Sequence, residues 1–267
     1  MNRKYELTDE TKMFRGHLLH RIKARRDFDK VKAGDLGGWI QSERNLSPKG
    51  TAWIYDEACV CDSAVVREDA RVTGEAWVLG HAMVAGHARV SGHAFVGGDS
   101  LVCGSALVNG HSVIERKAQV FGNAYVGQDA YISGKARICG SAVVTGMGTL
   151  VTGTVIIGDD AHVEGANVRG DVCLCGVPVI DGLDIDIGKN EHYLVIGGIA
   201  RPQMRLTFAR TRYNRIRLIS TIYTGDIEDY EFSDEDLLSS EASPVDKYYK
   251  EAIELAKMYI TDTIYTA

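Results

Sequence analysis

The amino-acid sequence predicts a mainly β fold in which short strands wind into a triangular parallel β-solenoid. The first observation is a repeat, because every sixth residue from Ala52 to Ala142 is Ala or Ser. The second is that Ile or Val stands two residues after each of these positions, from Ile54 to Val144. The third is the composition of 29 glycines and only 4 prolines, which indicates many tight turns in an ordered chain.

The repeating unit, A-x-V-x-G-x, has a period that fits neither a helix nor a simple alternating strand. Its Ala-x-Val part alternates as a strand does, and the glycine then permits a bend. Each unit is therefore predicted to be a short strand followed by a corner. Three corners of about 120° close a coil of about 18 residues, and successive coils pair about 4.8 Å apart. Val fills the interior, and Ala fits the narrow corner.

The repeat predicts about seven coils between residues 52 and 187. Towards its end the register is expected to continue weakly through the pairs Gly148/Leu150 and Thr154/Ile156. Ala161 is then displaced by one place, and we interpret residues 158–165 as a β-bulge.

The repeat resembles a known family. The unit V-x-G-x-A-x is similar to the hexapeptide repeat of left-handed parallel β-helices, and this resemblance alone implies the left hand, because general crossover rules favour the other. The stretch AGDLGGWIQSERNLSPKGTAWIYD, residues 33–56, resembles the start of the YdcK-like group of bacterial and phage β-helix proteins. The resemblance covers roughly residues 4–180 and implies an architecture rather than an activity.

The segments on either side of the repeat do not follow its period. Residues 1–51 contain KYELT and LLHRIKARRDF, which predict a β-hairpin that caps the first coil, and they are also predicted to form an entry coil before the repeat. Residues 188–267 predict a small α+β module with three strands, an acidic segment and an amphipathic helix. This module resembles those at the C-terminus of phage and prophage repeat proteins. It lacks their Gly-Cys-Phe stretch, so chemistry that depends on that cysteine is not expected here.

Stacking of residues eighteen apart predicts an apolar column on the outside of one face. We call it the apolar stripe: Cys59, Trp77, Phe95, Val113 and Tyr131. Exposure of an apolar column to water costs free energy, so we expect this column to form an interface. The interface residues are Trp77, Phe95, Val113 and Tyr131, and a homotrimer is favoured. Cover by the C-terminal module or by a foreign partner are the alternatives.

The histidines and cysteines predict no metal site and no catalytic residue. His81, His87 and His93 are six apart and so lie on three different faces, while His93 and His111 form the one stacked pair. The six cysteines include two C-x-C pairs but lack the usual zinc-knuckle spacing, and they favour a reducing, cytoplasmic location. The sequence also shows no signal peptide and no run long enough to span a bilayer.

The charge pattern of the C-terminal module is its strongest functional signal. Between His192 and Gly225 there is no Asp, Glu or Lys. The segment instead contains six arginines, which are the candidate binding residues: Arg201, Arg205, Arg210, Arg212, Arg215 and Arg217. Residues 226–241 are acidic and could neutralise them. A phosphorylated ligand or an acidic protein surface are the other candidate partners, because arginine suits planar bidentate acceptors. The net charge of −6 argues against nucleic acid.

Three functions remain open at this stage. The first is a non-enzymatic, oligomeric binding or scaffold protein whose C-terminal module recognises a host protein or a phosphorylated ligand, with no cofactor. Its resemblance to phage proteins implies a possible anti-defence role, such as sequestering a signalling nucleotide. The second is a CoA-dependent acyltransferase, implied by other hexapeptide-repeat proteins, for which His111 and His162 are the histidines to test. The third is a structural or virion-associated fibre.

Overall fold

The computed structural model describes residues 4–197, 205–220, 223–230 and 244–261, and it confirms a mainly β solenoid. Three parallel sheets form its three faces, and their pairing joins residues about one coil apart. Trp77 pairs with Phe95, and Phe95 pairs with Val113. The second face has eight strands, so the solenoid makes about eight turns, one more than the repeat predicted.

The strands of each face succeed one another along the solenoid axis. Face I comprises Leu36–Ile40, Cys59–Val60, Trp77–Val78, Phe95–Val96, Val113–Ile114, Tyr131–Ile132, Leu150–Val151, Asn167–Val168 and Asp186–Ile187. Face II comprises Trp53–Ile54, Arg71–Val72, Arg89–Val90, Leu107–Val108, Tyr125–Val126, Val143–Thr145, His162–Glu164 and Val179–Asp181. Face III comprises Val65–Val66, Met83–Val84, Leu101–Val102, Gln119–Val120, Arg137–Ile138, Ile156–Ile157 and Cys173–Leu174.

The additional coil is formed by residues 36–51, which lack the hexapeptide pattern. Trp39 pairs in parallel with Cys59, and Leu46 bridges to Val66. A short 3₁₀ helix, Glu43–Asn45, replaces one corner of this coil. Backbone pairing with the next coil, rather than the Ala/Val signature, therefore places the start of the solenoid.

The predicted register is wrong by one residue after Val144. Val151 and Ile157 are the buried residues, and Leu150 and Ile156 point outward. The extra residue lies in the corner around Met147, since Tyr131 pairs with Leu150. The corner that precedes Asn167 is one residue shorter than usual, because Leu150 pairs with Asn167, and this restores the predicted register. One longer and one shorter corner therefore replace the expected β-bulge.

The N-terminal hairpin, Tyr5–Phe14 and His17–Ala24, extends face I and also folds over its outside. His20 pairs with Ile40, which gives the edge strand of the first coil a partner. The hairpin side chain Leu19 joins a buried cluster with Trp39, Cys59 and other residues of face I. The hairpin therefore protects the open edge and covers part of one face.

A four-stranded antiparallel sheet closes the other end of the solenoid. Its strands are, in spatial order, Tyr193–Gly197, Arg205–Arg210, Ile216–Ile219 and Thr224–Asp226. Short 3₁₀ helices, Asn190–His192 and Ile227–Asp229, flank it. One side of the sheet contacts the solenoid, where Ala209 and Ile219 join the solenoid core.

The helix Pro244–Thr261 packs on the opposite side of the C-terminal sheet. Its buried residues Tyr249, Ala252, Ile253, Ala256 and Ile260 are those that the sequence pattern predicts. Within the described residues, no helix is long and apolar enough to cross a membrane.

A candidate oxyanion site between the solenoid and the C-terminal sheet

A small pocket, the junction pocket, lies where the last coil meets the C-terminal sheet. Its cavity volume is about 90 Å³. The residues that line it are Arg169, Asp186, Gly188, His192, Arg210, Thr211, Arg212 and Asn214. Three arginines and one histidine thus converge around one carboxylate.

Backbone contacts fix the turn that carries the pocket arginines. Arg210 is the last residue of its strand, and Thr211 forms a bridge with Ile185 of the last coil. The next amide, that of Arg212, donates to the carbonyl of Asp184 at 2.7 Å. The turn is therefore fastened to the solenoid before any ligand binds, which reduces the entropy lost on binding.

His192 forms the floor of the pocket and is 9% exposed. The amide of Gly188 donates to its Nδ1 at 3.1 Å. Burial, reinforced by the positive charges of Arg210 and Lys189, lowers the pKa of His192 below its ordinary value. Both effects favour the neutral form of the imidazole.

Two hydrogen-bond donors compete for this neutral ring. Arg210 Nη1 lies 3.0 Å from His192 Nε2, while the amide of Gly188 donates to Nδ1. A neutral imidazole has one lone pair, so it accepts from only one of these groups. With Nδ1 as the acceptor, the Nε2 hydrogen faces the guanidinium. An oxyanion beside this pair, within hydrogen-bond distance of both nitrogens, would accept from both donors.

The arginines of this sheet fall into two groups. Arg215 and Arg217 are neutralised within the chain, because both contact the buried carboxylate of Asp226, at 2.8 and 3.1 Å. Arg217 also contacts Asp184 at 2.6 Å. For these two arginines, the structure supports the alternative in which acidic residues of the same chain neutralise the positive charge.

Arg210 and Arg212 form the second group. Arg210 donates to Asn214 Oδ1, and Arg212 donates to the carbonyl of Leu183. Among the described residues, no carboxylate forms an ion pair with either guanidinium. Positive charge in the pocket therefore exceeds what Asp186, which pairs with Arg169 at 2.5 Å, can balance.

Two further predicted arginines lie apart from the pocket. Arg205 is exposed at the far end of the strand from Arg210. Arg201 lies outside the described residues, as does the acidic segment beyond Tyr230. Of the six candidate arginines, the structure brings Arg210 and Arg212 together at one site.

Sequence reasoning missed six of the eight residues that line the pocket, among them Arg169, His192 and Asn214. Arg169 occupies an ordinary outward position of the repeat, and His192 lies near the start of the predicted C-terminal module. One signal was present, because residues at the last coil must meet whatever caps the solenoid. The strand order of the cap could not be derived from that signal.

The N-terminal hairpin covers the first part of the apolar stripe. Cys59 is buried, and the ring of Phe14 packs edge-on against Trp77 with centroids 4.9 Å apart. The guanidinium of Arg15 lies 5.7 Å from the ring centre of Phe95. The predicted contact at Trp77 is thus partly satisfied within the chain.

The predicted histidine pair is present in the structure. The rings of His93 and His111 stack with centroids 4.9 Å apart. Glu75 contacts His93 at 3.5 Å, and Asp129 contacts His111 at 3.5 Å. This exposed column lies at the corner beside the apolar stripe. Elsewhere, His162 contacts Glu164 at 3.4 Å.

All six cysteines are free. Cys59 and Cys61 lie on face I near the hairpin, whereas Cys173 and Cys175 lie on face III near the other end, so the two pairs do not converge. The thiols of Cys173 and Cys175 approach to 3.0 Å, closer than an ideal extended strand suggests.

The fold and the repeat together define a hexapeptide-repeat parallel β-solenoid with a small capping sheet and helix. No family model matches the chain. Among curated proteins it is similar to "Uncharacterized acetyltransferase YdcK" of Escherichia coli (strain K12), with 39% identity over 66 residues. The match covers 22% of this chain and 20% of that protein, so the chain spans about a fifth of its relative's length in the match.

Proposed function

We propose that this protein binds a phosphorylated small molecule, whose phosphate occupies the junction pocket. The observation that supports this most directly is that Arg210 Nη1 and the amide of Gly188 both lie within hydrogen-bond distance of the His192 ring, which accepts from only one of them. A phosphate oxygen would give the remaining donor an acceptor, and it would add negative charge beside Arg212, which forms no ion pair with a carboxylate among the described residues. The planar guanidinium fork of arginine can donate to two oxygens of a tetrahedral phosphate at once.

The surroundings of the pocket favour a ligand larger than free phosphate. Tyr213 is 69% exposed beside the pocket, and Arg212 lies 5.8 Å from its ring centre. An exposed aromatic ring next to a phosphate site can stack on a nucleobase. A nucleotide therefore fits the chemistry better than a simple anion. Nucleoside phosphates and cyclic dinucleotides are therefore a suitable first probe set.

The test is calorimetric titration with inorganic phosphate, nucleoside di- and triphosphates and cyclic dinucleotides. Removing two charged donors by Arg210→Ala with Arg212→Ala is expected to weaken binding about 100-fold or more, since each such hydrogen bond contributes about 1.5–3 kcal/mol. The matched control is Arg205→Ala, about 17 Å away along the same strand, and it should bind as the parent does. The proposal is wrong if no probe binds, or if the double variant retains full affinity.

Acetyl transfer is the second candidate function, and the name of the similar Escherichia coli protein favours it. His111, with Asp129 beside it, provides an exposed imidazole with a carboxylate partner. Incubation with acetyl-CoA and a panel of amines and alcohols tests this candidate. If His111 is the base, His111→Gln should reduce turnover about 100-fold or more, while His162→Gln leaves it unchanged. Absence of turnover by the parent protein rejects this candidate.

We also propose that the uncovered part of the apolar stripe, Val113 and Tyr131, mediates self-association into a trimer. Tyr131→Asp is expected to shift the mass measured by light scattering from that of a trimer to that of a monomer, because a carboxylate would be desolvated at the contact. Trp77→Asp is the comparison, since Trp77 lies under the hairpin and should loosen the hairpin first. An unchanged mass for Tyr131→Asp places the contact elsewhere.

A further inference from the structure

The hairpin turn brings a histidine against a cysteine and an aspartate of the solenoid. Arg15 and Gly16 form the tip of the turn, both with positive φ, and His17 begins the returning strand. Cys61 and Asp62 follow the face I strand Cys59–Val60 directly. Residues more than forty positions apart in sequence thus meet at one corner.

The three side chains lie close enough to share one ion. His17 Nε2 is 3.0 Å from Asp62 Oδ1, and the ligating atoms of His17, Cys61 and Asp62 all lie within 4.8 Å of one another. Zinc–ligand bonds of about 2.0–2.3 Å at tetrahedral angles separate ligand atoms by roughly 3.3–3.7 Å. Side-chain adjustments of an ångström or less therefore bring these atoms to coordinating distance.

Asp62 is held in the orientation that coordination needs. Its amide donates to Gln41 Oε1 at 2.8 Å, and its Oδ2 accepts the amide hydrogen of Gly80 at 3.0 Å. Oδ2 thus joins this corner to the next coil through Gly80, and Oδ1 points towards His17. Such supporting hydrogen bonds orient ligands in metal sites.

We propose that His17, Cys61 and Asp62 form a Zn²⁺ site that fastens the N-terminal hairpin to the solenoid. One imidazole nitrogen, one thiolate and one carboxylate match the ligand preferences of zinc, whereas Mg²⁺ and Ca²⁺ favour oxygen ligands alone. The charges of a thiolate and a carboxylate balance the dication, which makes the nearby Arg15 tolerable. Cys61 is 1% exposed, while His17 and Asp62 are about one third exposed, so water can complete the coordination.

The position of the site couples metal binding to the cover that the hairpin forms over the apolar stripe. The hairpin tip that carries His17 also places Phe14 and Arg15 over Trp77 and Phe95 of the apolar stripe. Zinc binding would hold this cover in place, and metal removal would free the tip to lift. Bound metal and exposure of the apolar stripe are therefore coupled.

Zn²⁺ and Co²⁺ are the probes that test the site. Metal-free protein titrated with Co²⁺ should develop one equivalent of a thiolate-to-cobalt charge-transfer band. Cys61→Ala should abolish this band, and the matched variant Cys59→Ala, two residues earlier in the chain, should retain it. His17→Gln and Asp62→Asn are expected to weaken Zn²⁺ at least about tenfold in competition with a chromophoric chelator, whereas His20→Gln should not.

A second measurement does not depend on the stability of the cysteine variants. In histidine ring NMR spectra of the parent protein, one equivalent of Zn²⁺ should shift the resonances of His17 and leave those of the exposed pair His93 and His111 in place. A cobalt band that survives Cys61→Ala overturns the proposal. So does Zn²⁺ affinity that is insensitive to His17→Gln, or a zinc-induced shift confined to other histidines.

Discussion

Val108→Asp is expected to unfold the middle of the solenoid, whereas Leu107→Asp, one residue earlier, is expected to leave it folded. Val108 is completely buried and pairs with Val90 and Val126 of the neighbouring coils. A carboxylate at this position has no polar partner, and its burial should cost at least about 4 kcal/mol. That loss approaches the whole stability of many domains, about 5–15 kcal/mol.

Leu107 is the matched control because it shares the strand but points outward and is 39% exposed. It pairs with Arg89, so a carboxylate there gains a favourable neighbour and should change stability by less than about 1 kcal/mol. Thermal unfolding followed by circular dichroism, with hydrogen exchange of the flanking coils, measures both variants. Equal effects of the two substitutions would contradict the assignment of inward and outward positions.

Gly140→Ala is expected to have the second largest effect on stability. Gly140 has φ of +65°, and an added Cβ would lie 2.6 Å from the amide nitrogen of Asp159 in the next coil. The left-handed conformation costs alanine about 1–2 kcal/mol, and forcing the coils apart adds about 1–3 kcal/mol. The coils cannot separate cheaply, since their backbones are hydrogen-bonded: Ser141 donates to Asp159 at 2.6 Å.

Gly176→Ala separates the two causes. Gly176 occupies an equivalent corner with φ of +87°, but no atom lies within 4 Å of an added Cβ. It should therefore show the conformational cost alone, and its midpoint in urea should fall less than that of Gly140→Ala. If the two variants are equally stable, close approach of successive coils is not what requires glycine at residue 140.

The two ends of the chain carry the proposed activities, and the repeat between them acts as a rigid support. The junction pocket needs the last coil for Arg169 and Asp186, and it needs the cap for Arg210. The hairpin site needs the first complete coils for Cys61 and Asp62. Each proposed site is thus built from a repeat surface and a non-repeat segment, a combination that a sequence period alone does not display.

The arginines of the junction pocket and His17 of the hairpin site show which site residues the sequence predicts and which it does not. Arg210 and Arg212 were among six candidate arginines, but alternation along a strand could not separate them from Arg215 and Arg217. The separation comes from Asp226, which lies on the neighbouring strand and neutralises the latter pair. His17 gave no signal at all, because its partners are more than forty residues away and only the turn geometry brings them together.

The sequence alone determined the solenoid, its inward and outward columns as far as Val144, the stacked pair His93 and His111, and the buried face of the C-terminal helix. These features follow from local periodicity, since the same six-residue pattern imposes the same strand and corner each time. Only the tertiary structure decided the length of the corner at Met147, the cover over Trp77 and the partners of each arginine. These three features depend on contacts between segments that are distant in the sequence. Such contacts produce no periodic pattern in the amino-acid sequence.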